Sequence, residues 1–166
     1  MHRWLGVWLL LSLPAQAETA PVAALPPPVS SACVSSPFGP RVLAGKPKAG
    51  SFHPGIDMPA PAGEAVRAIA PGRVLRIQRK GAGGLEMLVQ HDGFIGVYSH
   101  LGMIAPAFAE GKSIVATGEK LAVIGRTGVT YGTHLFFAML VDGRSVDPAP
   151  YLRVPRCGAA LTAGAG

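Results

Sequence analysis

The chain has 166 residues, of which 49% are hydrophobic and 14% are charged, and its formal net charge is +6. This length and apolar content fit one folded domain with an ample core. The 22 glycines and 16 prolines favour many turns between short strands and disfavour a bundle of long helices.

The N-terminal residues have the pattern of an export signal. Arg3 precedes an apolar run over residues 4–13, and the Ala-Gln-Ala run at 15–17 supplies the small residues that a signal peptidase prefers. The apolar run is too short to span a bilayer, and the helix-breaking Pro14 disfavours an uncleaved anchor. We therefore predict a signal peptide over residues 1–17, no membrane span after its cleavage, and a periplasmic or secreted protein.

Composition divides the rest of the chain into three parts. A Pro/Ala-rich linker is predicted over residues 18–32, a folded domain over 33–157 and a flexible Ala/Gly tail over 158–166. The two cysteines, Cys33 and Cys157, bracket the domain. Two unpaired thiols are one interpretation, but an oxidising compartment and a count of two favour a disulfide between them.

Alternating apolar residues and β-branched content predict the strands. No stretch shows a sustained helical period, although residues 103–110 have room for one short helical turn. The pattern indicates an all-β fold, either an antiparallel β-sandwich or a partly closed barrel. The predicted strands cover residues 65–69, 73–79, 85–90, 95–99, 120–124 and 134–141.

Three short motifs carry candidate chemistry. The first, His53-Pro-Gly-Ile-Asp57, places an imidazole and a carboxylate four residues apart around a Pro-Gly turn, and both groups are common zinc ligands. The second is Tyr-Ser-His-Leu around His100, and the third is Gly-Thr-His-Leu-Phe, which contains His134 and Phe136. A catalytic zinc normally needs a third protein ligand, and none of these motifs supplies an obvious one.

The three motifs resemble those of the LytM/lysostaphin-type zinc endopeptidases, which cut peptide cross-links in peptidoglycan. The resemblance runs from about residue 38 to 151 and implies an all-β fold of the duplicated-hybrid-motif type. It implies that His53 and Asp57 are zinc ligands, and that His100 and His134 flank the bound water and substrate. In that family a terminal His is the third ligand, and Phe136 stands at its position.

Phe136 decides how this resemblance is interpreted. Side chains alternate along a strand, so Phe136 shares a face with His134 and is expected at the metal position. A phenyl ring has no lone pair to donate, so zinc is expected to bind weakly or not at all. One alternative is that His134 turns onto the metal and completes a His-Asp-His set, at the cost of a catalytic histidine.

A cluster of cations surrounds the predicted strand over residues 73–79. Such a surface suits an anionic polymer, and in an exported protein the cell-wall polymer is more available than nucleic acid. A solvated strand face is the simpler interpretation, with Leu75 and Ile77 turned to the core and the cations outward. The cluster consists of Arg67, Arg73, Arg76, Arg79 and Lys80.

Competing interpretations remain for the fold and for single residues. A weak internal repeat, residues 63–72 against 111–118, is similar to biotinyl or lipoyl carrier domains and to sugar-phosphotransferase IIA domains. The chain has no Met-Lys-Met tripeptide for a carrier, and a cytoplasmic phosphotransfer domain would not carry an export signal. His91 precedes Asp-Gly and is interpreted as a structural turn residue.

Two functions follow from these motifs. The first is a non-catalytic LytM-like domain that binds peptidoglycan or a partner such as a cell-wall amidase or another envelope protein. The second is an active zinc metalloendopeptidase that cleaves peptidoglycan cross-link peptides with a rearranged ligand set. The missing lone pair at Phe136 favours the first function.

Overall fold

The computed structural model describes residues 24–30 and 32–158. The predicted signal peptide and nearly all of the predicted tail lie outside these residues. The described residues form strands β1 (Gly39–Pro40), β2 (Phe52–His53), β3 (Ile56–Pro59), β4 (Ala65–Arg67), β5 (Gly72–Lys80), β6 (Gly84–His91), β7 (Phe94–Ser99), β8 (Leu101–Ile104), β9 (Ile114–Val115), β10 (Lys120–Ile124), β11 (His134–Val141) and β12 (Arg144–Val146), with short helices α1 (Pro106–Ala109) and α2 (Ala149–Leu152).

Antiparallel sheets make up most of the molecule, as predicted. The large sheet has the order β12-β11-β7-β6-β5-β9, and β3 pairs with β11 beside this path. A second sheet has the order β4-β10-β8, and β1 pairs with β2. The large sheet curls into a half-barrel, so one of its faces is concave.

The six predicted strands are confirmed within a few residues as β4, β5, β6, β7, β10 and β11. The predicted helical turn is α1. Strand β3 was not predicted, because it has only four residues. Strands β1, β2, β8, β9 and β12, which have two to four residues each, were also not predicted. Strands this short carry too few alternations for a pattern to stand out.

One hydrophobic core joins the two main sheets. On the large sheet Met87, Tyr98 and Phe137 are fully buried. They belong to the same cluster as Val66 and Leu121 of the second sheet. Because side chains alternate along a strand, the other face of the large sheet carries the intervening residues and is partly exposed.

The end of the predicted linker packs on this core. Val29 is 2% exposed and belongs to the hydrophobic cluster. The backbone N–H of Arg67 donates to the Pro28 carbonyl at 2.8 Å. Residues 28–30 are therefore part of the packed unit.

The prediction that Leu75 turns to the core is wrong. The pairing of β5 with β6 shifts register between Val74 and Arg76, so Leu75 is the extra residue of a β-bulge. Its side chain is 51% exposed. Ile77 is partly buried against the core, as predicted.

His91 is a structural residue of the core. Its side chain is 3% exposed, and its Nδ1 lies 2.9 Å from the Pro71 carbonyl oxygen. A carbonyl only accepts, so Nδ1 carries the hydrogen and Nε2 faces the Tyr98 hydroxyl at 3.3 Å. Burial lowers the pKa of His91, although its hydrogen bonds to the backbone oppose the shift.

The buried His91 predicts a loss of stability in mild acid. The pKa of His91 is lower in the folded state, so the unfolded chain binds a proton first. This contribution is complete above the unfolded pKa, about 6.5, and is lost as the pH falls below it. We expect urea unfolding of His91→Gln to show a shallower loss of stability between pH 7 and pH 5 than the wild type. Equal slopes in the two proteins would rule out this role for His91.

Candidate functional site

The register of the strands lines up polar and aromatic side chains across the concave sheet. Phe136 on β11 lies opposite Asp57 on β3 and opposite Ser99 on β7. Ser99 Oγ donates to Glu86 Oε1 at 2.8 Å, and Gln78 Nε2 donates to Glu86 Oε2 at 2.9 Å. These five residues form one cross-strand row on the same face, which we call the floor row.

Asp57, Glu86 and Phe136 of the floor row line a groove of about 620 Å³. One wall is the 41–51 loop between β1 and β2, and the other is the 125–133 loop between β10 and β11. Lys46 Nζ lies 5.2 Å from the ring centroid of Tyr131, so the two walls meet through a cation–π contact. All the predicted site residues line this groove, namely His53, Asp57, His100, His134 and Phe136.

Asp57 is the most heavily contacted group in the groove. Its Oδ1 lies 3.2 Å from His53 Nε2 and 3.4 Å from His134 Nε2. Its Oδ2 lies 3.4 Å from Arg41 Nη1. Burial alone raises the pKa of Asp57, but hydrogen bonds from His134 and His53 outweigh it and hold the pKa well below its usual range. The carboxylate is therefore ionised, and its charge is balanced within the protein.

His53 is held rigidly behind Asp57. The side chain is 2% exposed, and Nδ1 lies 2.9 Å from the Pro37 carbonyl oxygen. The carbonyl accepts, so Nδ1 carries a hydrogen and Nε2 is the atom directed at Asp57. This arrangement, with one ring nitrogen anchored to a backbone carbonyl, is typical of metal-binding histidines.

His100 lies between the floor row and the 125–133 loop in a left-handed backbone conformation, with φ of 63°. Its N–H donates to the Gly83 carbonyl at 2.9 Å, and its Nδ1 donates to the Thr127 carbonyl at 2.9 Å. Burial lowers the pKa of His100; the bond to Thr127 opposes this shift and the neighbouring His134 adds to it. A non-glycine residue held in this region of φ/ψ space is often functional.

His134 faces His100 across the groove, with ring centroids 4.7 Å apart. Its Nδ1 lies 3.2 Å from the Gly132 carbonyl oxygen and 3.3 Å from Thr130 Oγ1. The second ring nitrogen, Nε2, is directed at Asp57. The structure thus brings His100 and His134 together as a pair, as the resemblance implies.

Phe136 lies between His53 and the pair of His100 and His134. Its ring centroid lies 5.3 Å from that of His53 and 6.2 Å from that of His100. A Cβ added at Gly55 would lie 2.9 Å from the Phe136 ring, so the turn after His53 closes directly over it. The ring fills this space with carbon atoms and offers no donor lone pair.

This donor set does not fit a firmly held zinc ion. His53 and Asp57 supply two donors, and the position of the third is a phenyl ring. Among residues 24–30 and 32–158, no group of three or more His, Cys, Asp or Glu is arranged to hold a metal ion. His53, Asp57 and His134 lie close together, but the two imidazoles contact the carboxylate itself, and Arg41 contacts its other oxygen.

Three residues of this site, Ser36, Arg41 and Glu86, were not predicted from the sequence. Arg41 Nη1 donates to Ser36 Oγ at 2.6 Å as well as to Asp57, and Nη2 donates to the Ala49 carbonyl at 2.9 Å. Glu86 was placed only as part of a strand. No sequence spacing marks these residues, because Arg41 comes to the groove from the 41–51 loop and Glu86 from β6.

The half-barrel sheet, the His53–Asp57 pair and the facing His100 and His134 define a metallopeptidase-type β domain. The chain belongs to Peptidase family M23, which it matches over residues 51–148. Membership of this family does not decide whether the chain is catalytic, because the family's chemistry depends on the residues just described.

Individual relatives agree with this family. Mpg of Neisseria meningitidis serogroup B, a DD-carboxypeptidase/endopeptidase, is 36% identical over 69% of this chain and 26% of its own length. The murein hydrolase activator NlpD of Escherichia coli K12 is 33% identical over 59% of this chain and 25% of its own length. The chain therefore spans about a quarter of the length of these relatives.

Solved structures show the same fold. The catalytic domain of lysostaphin from Staphylococcus simulans superposes with a TM-score of 0.65 at 25% identity, covering 75% of this chain and 98% of that one. None of the helices in the described part of the chain combines the length and the apolar character needed to cross a membrane.

Proposed function

We propose that this protein is a non-catalytic M23 domain that binds peptidoglycan peptides in its groove and, through them or directly, regulates a cell-wall hydrolase such as an amidase. The observation that carries the proposal is Phe136, which lies beside Asp57 in the floor row. With Phe136 there, the groove keeps its shape but lacks a third donor for a hydrolytic metal.

Arg41 supports the same conclusion. A metal-binding carboxylate needs free lone pairs, but Asp57 Oδ2 contacts a guanidinium that Ser36 and Ala49 hold in place. Arg41 supplies a permanent positive charge beside Asp57, because its guanidinium does not lose its proton in proteins. This charge beside Asp57 supports a groove that needs no metal ion at its centre.

The relatives support a role at the cell wall. Mpg is named as a carboxypeptidase and endopeptidase and NlpD as an activator of murein hydrolases, so related domains occur in both kinds of protein. The predicted export signal would place this chain in the periplasm or outside the cell, where peptidoglycan is found.

A second candidate function is an active zinc endopeptidase with a rearranged ligand set. The observation that favours it is the approach of His134 Nε2 to Asp57 Oδ1, at 3.4 Å. With His53 on the same oxygen at 3.2 Å, a His-Asp-His set would need only small movements. Such a set would remove His134 from its place opposite His100, so proton transfer would rest on His100 alone.

Zinc content and wall binding together test the proposal. We expect the purified protein to co-sediment with peptidoglycan sacculi, to release no soluble muropeptides, and to lose added zinc on dialysis under conditions that leave the lysostaphin catalytic domain loaded. Zinc measured by elemental analysis is the readout. Stability is not a suitable readout for His53 variants, because His53 is buried and bonded to Pro37.

His53→Gln and His134→Gln distinguish the two candidate functions. Stoichiometric zinc after dialysis that is lost in both variants, together with muropeptide release, would contradict the proposal and establish the rearranged set. Absence of binding to sacculi by the wild type would exclude the peptidoglycan-binding role.

A further inference from the structure

The concave face of the large sheet continues beyond the floor row. One row further along the strands, Ala138, Val97, Leu88 and Arg76 lie opposite one another in register. In the next row on the same face lie Leu140, Ile95, Gln90 and Arg73. Opposite residues of antiparallel strands share a face, so these rows form one surface with the floor row. We call the two rows beyond the floor row the aliphatic strip.

The aliphatic strip is accessible at its centre and charged at one end. Leu88, Ile95, Val97 and Leu140 are each partly exposed, although they lie in the middle of the sheet. Arg73 and Arg76 are exposed on β5, three strand positions from β11. Strands are spaced about 4.8 Å apart and Arg76 lies two residues along β5 from the floor row, so Arg76 lies roughly 16 Å from Phe136, a distance that an extended peptide of about five residues would span.

The two arginines have no acidic partner within the described part of the chain. Arg73 Nη1 donates to Ser113 Oγ at 3.3 Å, and Arg76 Nη1 lies 3.5 Å from Gln78 Oε1. The carboxylate of Glu86, on the same face, is bonded to Ser99 and Gln78. A solvated strand face accounts for exposed arginines, but it does not account for the aliphatic surface that leads to them.

We propose that the aliphatic strip binds an extended peptide with small aliphatic side groups and at least one carboxylate, oriented so that the carboxylate reaches Arg73 and Arg76. This inference rests on the proposed function, and it specifies the ligand chemistry and direction. The aliphatic residues contact the methyl groups of the peptide, and the arginines fix its acidic end. Binding extends from the floor row at Phe136 across β7 and β6 to β5.

Charge and composition favour this occupant over others. A single-stranded nucleic acid needs exposed aromatic rings for its bases to stack on, and the two rows of the strip contain none. A second copy of the chain would bring its own Arg73 and Arg76 to the same surface by symmetry, and like charges would repel. An acidic peptide neutralises the arginines instead.

The test compares two double variants of the full chain with equal charge. Arg73→Gln/Arg76→Gln removes the two cations of the strip. Arg67→Gln/Lys120→Gln removes two cations that lie opposite each other in register on β4 and β10, in the other sheet. The ligands are sacculi and a synthetic tetrapeptide that contains alanine and two free carboxylates, with its amidated form as the uncharged counterpart.

We expect Arg73→Gln/Arg76→Gln to weaken tetrapeptide binding about tenfold, and Arg67→Gln/Lys120→Gln to change it by less than about twofold. The amidated peptide should bind the wild type about as weakly as the acidic peptide binds the strip variant. Added salt should reduce binding of the wild type more than that of the strip variant.

Different outcomes overturn different proposals. If the wild type binds sacculi and the two double variants bind the tetrapeptide equally, the strip is not the docking surface but the proposed function stands. If the wild type binds neither sacculi nor the tetrapeptide, the proposed function fails as well. Dimerisation that depends on Arg73 and Arg76, seen by light scattering, would identify a second copy as the occupant.

Discussion

Phe136→His should raise zinc affinity by at least about a hundredfold, since loss of even an outer partner of a metal ligand costs 10- to 100-fold. The new imidazole would replace a ring that lies opposite Asp57 in register and 5.3 Å from the ring of His53. His53 is already anchored at Nδ1, so the variant adds one ligand to a prepared pair. Zinc competition with a chromophoric chelator measures the change.

A control variant distinguishes the effect of the added donor atom from the effect of removing the phenyl ring. Phe136→Leu removes the ring without adding a lone pair, and its zinc affinity should stay near that of the wild type. Phe136→His combined with His53→Gln should lose the gain. An equal rise in Phe136→Leu would show that the bulk of the ring, and not its lack of a lone pair, limits zinc binding.

Hydrolysis is the more demanding result for the same variant. His100 and His134 remain opposite each other, with ring centroids 4.7 Å apart, and would be available for proton transfer. Release of muropeptides from sacculi by Phe136→His, from a near-zero wild-type rate, would show that one substitution separates this groove from a peptidase. Arg41 opposes that outcome, because its guanidinium contacts Asp57 Oδ2. A wild type that already releases muropeptides in a metal-dependent manner would contradict the non-catalytic proposal.

The sequence predicts the central sheet and the convergence of the motifs. Strands β6 and β11 have eight residues each and lie between turn signals, so their apolar content marks them as strands. The placement of His134 and Phe136 on one face followed from the alternation of side chains along any strand. Their meeting with His53, Asp57 and His100 followed from the family resemblance and not from the residues alone.

The rest depends on pairings that a sequence pattern does not encode. Asp57 lies on the four-residue β3, whose register on β11 places it opposite Phe136. The contact between Arg41 and Asp57 crosses 16 residues of chain and requires the 41–51 loop to fold back. The bulge that exposes Leu75 depends on the register with β6. Each of these is set by tertiary packing, which overrides local preference.

The disulfide between Cys33 and Cys157 is expected to contribute strongly to the free energy of unfolding. The predicted pairing is confirmed: Cys33 and Cys157 are joined, with Cα atoms 4.9 Å apart and a sequence separation of 124. Next to the bridge, Val34 N donates to the Pro155 carbonyl at 2.8 Å, and Cys157 N donates to the Val34 carbonyl at 3.0 Å. The two ends of the domain are thus held together by backbone hydrogen bonds as well as by the covalent bond.

Removing the disulfide should lower the free energy of unfolding by about 4–5 kcal/mol, because a loop of more than 100 residues is then free in the unfolded chain. The backbone bonds at Val34 keep the ends together in the folded state, so the fold and the groove should persist, and the loss should come mainly from the unfolded state. Urea unfolding of Cys33→Ser/Cys157→Ser, compared with the oxidised and reduced wild type, measures this effect. The double variant and the reduced wild type should agree. Two free thiols in the denatured, non-reduced protein would contradict the pairing, and a change below about 1 kcal/mol would show that the reduced unfolded chain already keeps its ends close.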